Sequence, residues 1–208
     1  DGPKDYNSSY ALTAFRNIGA RITYFIAGKQ LDRYADVFER EFNQNQLFGN
    51  HSYHHWSGYS FKQPSHRKTE AEKFDALALA LVGEKAAFFR APGGTYPPWQ
   101  EAEMDVPIIQ WSANTYDYTG LKPKDIIYAI EHRVEEYDIV LCHDTGKYLY
   151  KAIPTFGQYL TEHGYMIVTL QELAAAQGVT PKANVVYWSF RPGENSEDRS
   201  NLGKKTKK

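Results

Sequence analysis

The feature that most constrains this chain is an alternation. Short apolar, β-branched runs are separated by longer stretches with helical spacing. The runs are Ala20–Ile26 (ARITYFI), Leu47–Ser52 (LFGNHS), Ala86–Ala91 (AAFFRA), Pro107–Ala113 (PIIQWSA), Asp138–Asp144 (DIVLCHD) and Tyr165–Leu170 (YMIVTL). Helical patterns fall between them, over about 8–18, 30–45, 66–82, 123–136 and 150–163. The fourth has Pro123 in a first-turn position and Ile127, Ile130 and Val134 on one face. Strands that are apolar almost throughout are buried on both faces, so the pattern predicts a parallel sheet covered by helices. So many strand–helix units in one chain favour a β/α barrel over an open sheet. From Gly178 the pattern changes to a turn, a strand-like run Asn184–Phe190 and a polar tail ending in GKKTKK. We therefore divide the chain into a main unit, 1–177, and a C-terminal extension, 178–208.

Composition removes several function classes. The 24 Lys and Arg against 25 Asp and Glu leave a net charge of -1, without the basic excess of a nucleic-acid binder. No apolar run is long enough to span a membrane. A single cysteine, Cys142, rules out an internal disulfide, so a domain of 208 residues has to hold by its core. The first residue is Asp rather than Met, which reads as a processed or trimmed chain and leaves a removed leader open. Aromatic residues reach 15%, with 16 Tyr; such surfaces suit sugar rings, although most aromatic side chains in a domain pack its core.

Polar residues stand at the carboxyl ends of the strand-like runs: His51, Arg90, Asn114 with Asp117, and His143. In a parallel barrel those ends share one face, where the strand-to-helix loops build sites. His51 and His55 can turn two imidazoles to one divalent ion, or be a surface histidine cluster. His54 and His66 read as bystanders. Arg90 opens Arg-Ala-Pro-Gly-Gly. An arginine leaving a buried strand calls for a carboxylate, and Gly93 and Gly94 allow close backbone approach to a substrate. His143 has the chemistry of a general acid, or is a structural strand-end histidine.

In order and spacing these elements resemble the polysaccharide deacetylases of carbohydrate esterase family 4. The familial stretches are ARITYFIAGK, LFGNHSYHH, AFFRAPGGTY, IIQWSANTYDY, DIVLCHD and GYMIVTLQEL. The resemblance implies a distorted (β/α)7 barrel whose first strand is missing from the sequence. That would make 1–177 an N-terminally truncated catalytic domain. It also implies that Asp1, opening Asp-Gly-Pro, joins His51 and His55 as a metal ligand, with the catalytic base one residue ahead of Asp1. Arg90 would orient that base, and the Gly93 N–H would bind the oxyanion. His143 would protonate the leaving nitrogen, with Asp117 raising its pKa and fixing its tautomer. Leu141 and Tyr118 would line the acetyl pocket. Tyr96 and Trp99, with Trp56, Tyr59 and Phe61, are candidate sugar-contacting residues. Two departures are Asn114 where the family has Asp, and Tyr118 where it has Trp.

The implied activity is metal-dependent removal of N-acetyl groups from peptidoglycan N-acetylglucosamine or chitin-like oligomers. The alternatives are an O-acetyl xylan esterase, and an inactive carbohydrate-binding relic without the base. Zinc is the first choice of metal, with cobalt, nickel or manganese also suited to two histidines and a carboxylate. The expected partner is an acetylated polysaccharide, with no nucleic acid and no membrane span. A monomer acting outside the cell or at its surface is expected.

Overall fold

The computed structural model describes residues 1–42, 46–56, 64–94 and 104–191. Helices and parallel strands alternate as expected for an α/β chain. In order they are α1 (Asp5–Asn17), β1 (Thr23–Ile26), α2 (Gly28–Arg33), α3 (Ala35–Phe42), β2 (Leu47–Asn50), α4 (Pro64–Val82), β3 (Ile108–Ile109), β4 (Ala113–Asn114), α5 (Pro123–Arg133), β5 (Val140–Leu141), α6 (Leu149–Glu162), α7 (Leu170–Ala176) and β6 (Val186–Tyr187).

β1 and β2 pair in parallel, from Thr23 opposite Leu47 to Ile26 opposite Asn50. The ladder continues as single bridges from Asn50 to Phe89 and from Phe89 to Ile108. β6 then pairs in parallel with β3. Three residues after β3 the chain has turned to a new partner, and β4 pairs with β5. Asp138 and Ser189 form an antiparallel bridge between the two groups.

Among the described residues the strands form three pairs and do not close a barrel; the α/β class is what these elements establish. The expected strand ahead of Asp1 concerns residues outside this sequence. The expected strands are also shortened. Ala86–Ala91 contributes one bridging residue, Phe89. Tyr165–Leu170 is not a strand: it borders β1 through the Arg21 N–H donating to the Ile167 carbonyl at 3.1 Å. The sequence Thr-Leu-Gln-Glu closes a capping box there. Thr169 Oγ1 accepts from the Glu172 N–H, and the Glu172 carboxylate accepts from the Thr169 N–H, so Leu170 begins a helix instead. The helical pattern 30–45 is split at Tyr34, and 123–136 ends at Arg133 because Val134 is extended.

The helices bury apolar stripes on the outside of the strands. Phe38 of α3, Phe48 of β2 and Phe74 of α4 meet Tyr24, Ile26 and Leu31 in one cluster, with the Phe38 and Phe48 rings edge to face at 5.2 Å. Phe15 of α1, Ile126 and Ile130 of α5, and Ile153 and Phe156 of α6 form a second. The buried face of α5 runs through Ile126, Ala129 and Ile130, with Ile127 and Val134 at its margin. The run 184–190 is built into the sheet, since Tyr187 and Phe190 pack with Phe25, Phe88 and Ile109. Arg191 fastens its end by pairing with Asp138 at 2.5 Å and Glu135 at 3.0 Å.

Phe38 has no exposed surface. Truncating it leaves a cavity, so Phe38→Ala is expected to cost about 3–5 kcal/mol of stability, read as a lowered urea midpoint with an unchanged m value.

Candidate active site

His51 is the first residue beyond β2. Its backbone N–H donates to the Ile26 carbonyl at 2.9 Å, and its ring is buried. The Nδ1 edge lies 2.7 Å from the Arg90 carbonyl. Only a protonated nitrogen satisfies that contact, so a neutral ring carries its lone pair on Nε2. Nε2 lies 3.0 Å from Asp1 Oδ1, and His55 Nε2 lies 3.1 Å from the same oxygen. Burial holds the His51 pKa well below the ordinary histidine value, with the neighbouring His55 adding to it; burial likewise lowers His55. The neutral His51 lone pair directed at a carboxylate oxygen is repelled unless a cation lies between them. The donor atoms of Asp1, His51 and His55 all lie within 4.8 Å of one another. Two histidine nitrogens and one carboxylate oxygen fit a divalent transition ion with positions left for other ligands.

The loop carrying the histidines is held from outside. Ser52 and His55 both have left-handed backbones, φ 65 and 58, on the order of 1–3 kcal/mol of strain each. The Asn50 carboxamide spans the turn: Oδ1 accepts from the Ser52 N–H, and Nδ2 donates to the Ala71 carbonyl and the Asp75 carboxylate of α4. Ser52 Oγ accepts from the His55 N–H at 3.0 Å. Glu70 of α4, buried, accepts from both the His54 N–H and His54 Nδ1 at 2.7 Å. His54 is therefore a brace for this loop rather than a bystander, and Glu70 is a residue that sequence reasoning missed.

Asp1 is anchored through its neighbour. The Gly2 N–H donates to Asp144 Oδ1 at 3.1 Å, and Ser8 Oγ donates to Asp144 Oδ2 at 2.5 Å. A side chain at position 2 would put its Cβ 1.9 Å from that carboxylate, so only glycine fits. Asp144 and Ser8 were likewise missed; the one available signal was the acidic residue directly after His143.

His143 lies just beyond β5. Asp117 takes it with both oxygens: Oδ2 accepts from the His143 backbone N–H at 2.7 Å, and Oδ1 faces Nδ1 at 2.9 Å. Thr115 Oγ1 donates to the same Oδ1. The Asp117 side chain is fully buried, so this contact fixes the tautomer and leaves Nε2 for chemistry. The Tyr118 ring stands edge-on to His143 at 5.2 Å. Asn114, the departure in this segment, accepts from the Tyr116 N–H and shapes the turn.

Among the described residues Arg90 is held by main-chain carbonyls, and the carboxylate expected beside it concerns a residue ahead of Asp1. Its Nε donates to the Ile109 carbonyl, its Nη2 to the Gln110 carbonyl, and its face lies 4.1 Å from the Phe25 ring. Burial lowers its pKa to about 9. Asp1, His51, His55, Arg90, Gly93, Leu141, Tyr118 and His143 all line one cavity of about 530 Å³. Gly93 has φ 64, and the adjoining Gly94 turns at φ 65 against Trp111. Tyr96 and Trp99, with Tyr59 and Phe61, lie outside the described residues.

Residues 1–103 match the family model described as Polysaccharide deacetylase. The peptidoglycan-N-acetylmuramic acid deacetylase PdaC of Bacillus subtilis is 21% identical over 175 residues, which are 83% of this chain and 37% of that protein. A chitin deacetylase of Arthroderma benhamiae is 28% identical over 156 residues, 69% of this chain and 41% of that one. The chain thus spans well under half the length of these two relatives. Among solved structures, a family 4 acetyl xylan esterase from Clostridium thermocellum, in complex with a cobalt ion, shares the fold with a TM-score of 0.83 at 23% identity, covering 91% of this chain and 95% of that one.

Because native His51 and His55 bind protons less readily than unfolded histidine, the unfolded state takes up more protons below about pH 6.5. Stability of the chelator-treated protein is therefore expected to fall as pH drops from about 7 to 5. Urea midpoints would show this, with a smaller drop in His51→Gln; an equal drop would contradict it.

Proposed function

We propose that this chain, whose residues 1–103 match the polysaccharide deacetylase model, hydrolyses acetyl groups from a polysaccharide, with N-acetylglucosamine polymers of the peptidoglycan or chitin type as its substrate. The observation that carries this reading is one cavity lined by an Asp/His/His donor set and by a histidine whose tautomer a buried carboxylate fixes. Asp1, His51 and His55 would hold the ion, zinc first by its donors and cobalt, nickel or manganese next. Such an ion supplies Lewis-acid polarisation of a carbonyl oxygen and of water.

The remaining roles belong to the chain itself. Gly93 lines the same cavity as the trio, and its N–H would donate to the oxygen that becomes negative as the acetyl carbon turns tetrahedral. His143, with Nδ1 committed to Asp117, would present Nε2 to the leaving nitrogen and deliver its proton. Leu141 and Tyr118 would border the acetyl methyl group. A general base has to reach the same cavity, and Arg90 offers it an uncompensated buried charge to sit against. If no carboxylate does so, the protein binds acetylated sugar without turning it over, which is the second reading. Either reading concerns wall or matrix polymers, and we propose accordingly that the protein acts outside the cell or at its surface.

Acetate release separates the two. Full-length protein loaded with zinc or cobalt is expected to release acetate from N-acetylglucosamine hexamer, with acetylated xylan run in parallel. Release no higher than that of a His51→Ala/His55→Ala double variant would overturn the hydrolytic reading. Asp117→Asn loses the carboxylate at Nδ1, so kcat should fall about 10²–10⁴-fold while folding cooperativity is kept.

A further inference from the structure

The loop that carries the donor histidines also carries an exposed indole. Trp56 directly follows His55, and 47% of its surface is exposed. It is nonetheless held in place. Its ring stacks on the His54 imidazole with centroids 4.4 Å apart and planes 6° from parallel. His54 is gripped by Glu70, which is 4% exposed, at both its backbone N–H and its Nδ1. The Tyr53 ring abuts His54 edge-on at 4.8 Å, and the Lys73 ammonium lies 3.8 Å over Tyr53. An exposed aromatic side chain braced in this way has already lost its rotamer freedom, so a ligand meets a formed surface and little ordering remains to oppose binding.

We propose that Trp56, backed by His54, is a stacking platform for a pyranose ring of the same polysaccharide chain whose acetyl group enters the cavity; the inference rests on the carbohydrate reading above. A pyranose presents an apolar C–H face rimmed by hydroxyls. A single flat indole answers that face by area and dispersion and leaves the rim in water. A protein partner would call for a wider apolar patch. Among the described residues, no other exposed large hydrophobic belongs to 46–56 or to the first half of α4. Because the platform and the donor set share one short loop, a sugar on Trp56 and the reacting sugar are neighbours in one chain. Trp56 is thus a specificity-determining residue that rewards oligomers over small acetyl compounds.

The test compares wild type, Trp56→Ala and Trp56→Phe as zinc-loaded full-length proteins. Trp56→Ala is expected to lower kcat/KM for N-acetylglucosamine hexamer about tenfold through KM, roughly 1.4 kcal/mol. Hydrolysis of 4-nitrophenyl acetate should stay within about twofold, and Trp56→Phe should recover most of the loss. Equal losses on both substrates would overturn the platform, because they would mark a damaged donor loop. Calorimetric binding of the hexamer, in a His143→Ala background that spares the ligand, decides the matter independently of turnover. An unchanged affinity in Trp56→Ala, or no binding by the parent, overturns the proposal. A tenfold weaker affinity together with no acetate release by the wild-type protein upholds the platform and removes the hydrolytic reading instead.

Discussion

The main chain of Arg90 joins two parts of the molecule and sets the chemistry of a third. Its N–H donates to the Asn50 carbonyl, extending the β2 ladder by one bond, and its carbonyl receives Nδ1 of His51. The first contact requires the chain on both sides to be extended and parallel. The second makes the His51 ring a donor on one edge and a lone pair on the other. Removing the alignment of these two segments would leave His51 free to take the opposite tautomer, and Asp1 would then face an N–H. The donor character of the site is therefore a property of the sheet.

A second layer of buried carboxylates holds the polar residues in place. Asp117 grips His143, Asp144 grips Gly2 and Ser8, and Glu70 grips His54. Each accepts at least two hydrogen bonds, which is what makes its burial tolerable. Each also ties a loop to an element distant in sequence. Cys142 lies between two of these anchors, and burial, with Asp117 and Asp144 adding, pushes its thiol up so that it stays protonated. Its part there is packing.

How much of this was legible beforehand depended on range. His51, Asp117 and His143 stand just beyond apolar runs, and local periodicity together with the handedness of β/α units brings such positions to one side. Asp1 has no such signal, and only the likeness of Asp-Gly-Pro to a family motif pointed to it. The end of the YMIVTL run was misread because its β-branched residues outweighed a four-residue capping box, a local signal that was present in the sequence. The surroundings of His54 and Arg90 were illegible for the opposite reason. What each one meets is decided by residues many positions away, Glu70 for one and the 109–110 carbonyls for the other, and no spacing rule reaches that far. The two-way split of 107–114 between β6 and β5 was hidden likewise, since a continuous apolar run does not say which neighbour pairs with which half.

The left-handed backbones at Ser52 and His55 have a consequence for how such a protein can change. A five-residue loop with two residues in that conformation cannot settle into strand or helix, so its shape is imposed by Asn50 and by α4. Ala71 and Asp75 lie one turn apart on one face of α4, and Glu70 borders it. Drift along that face, on a helix that contributes no donor atom, is inherited at the donor histidines. Variation at Glu70 and Asp75 is thus expected to be epistatic with the histidine loop.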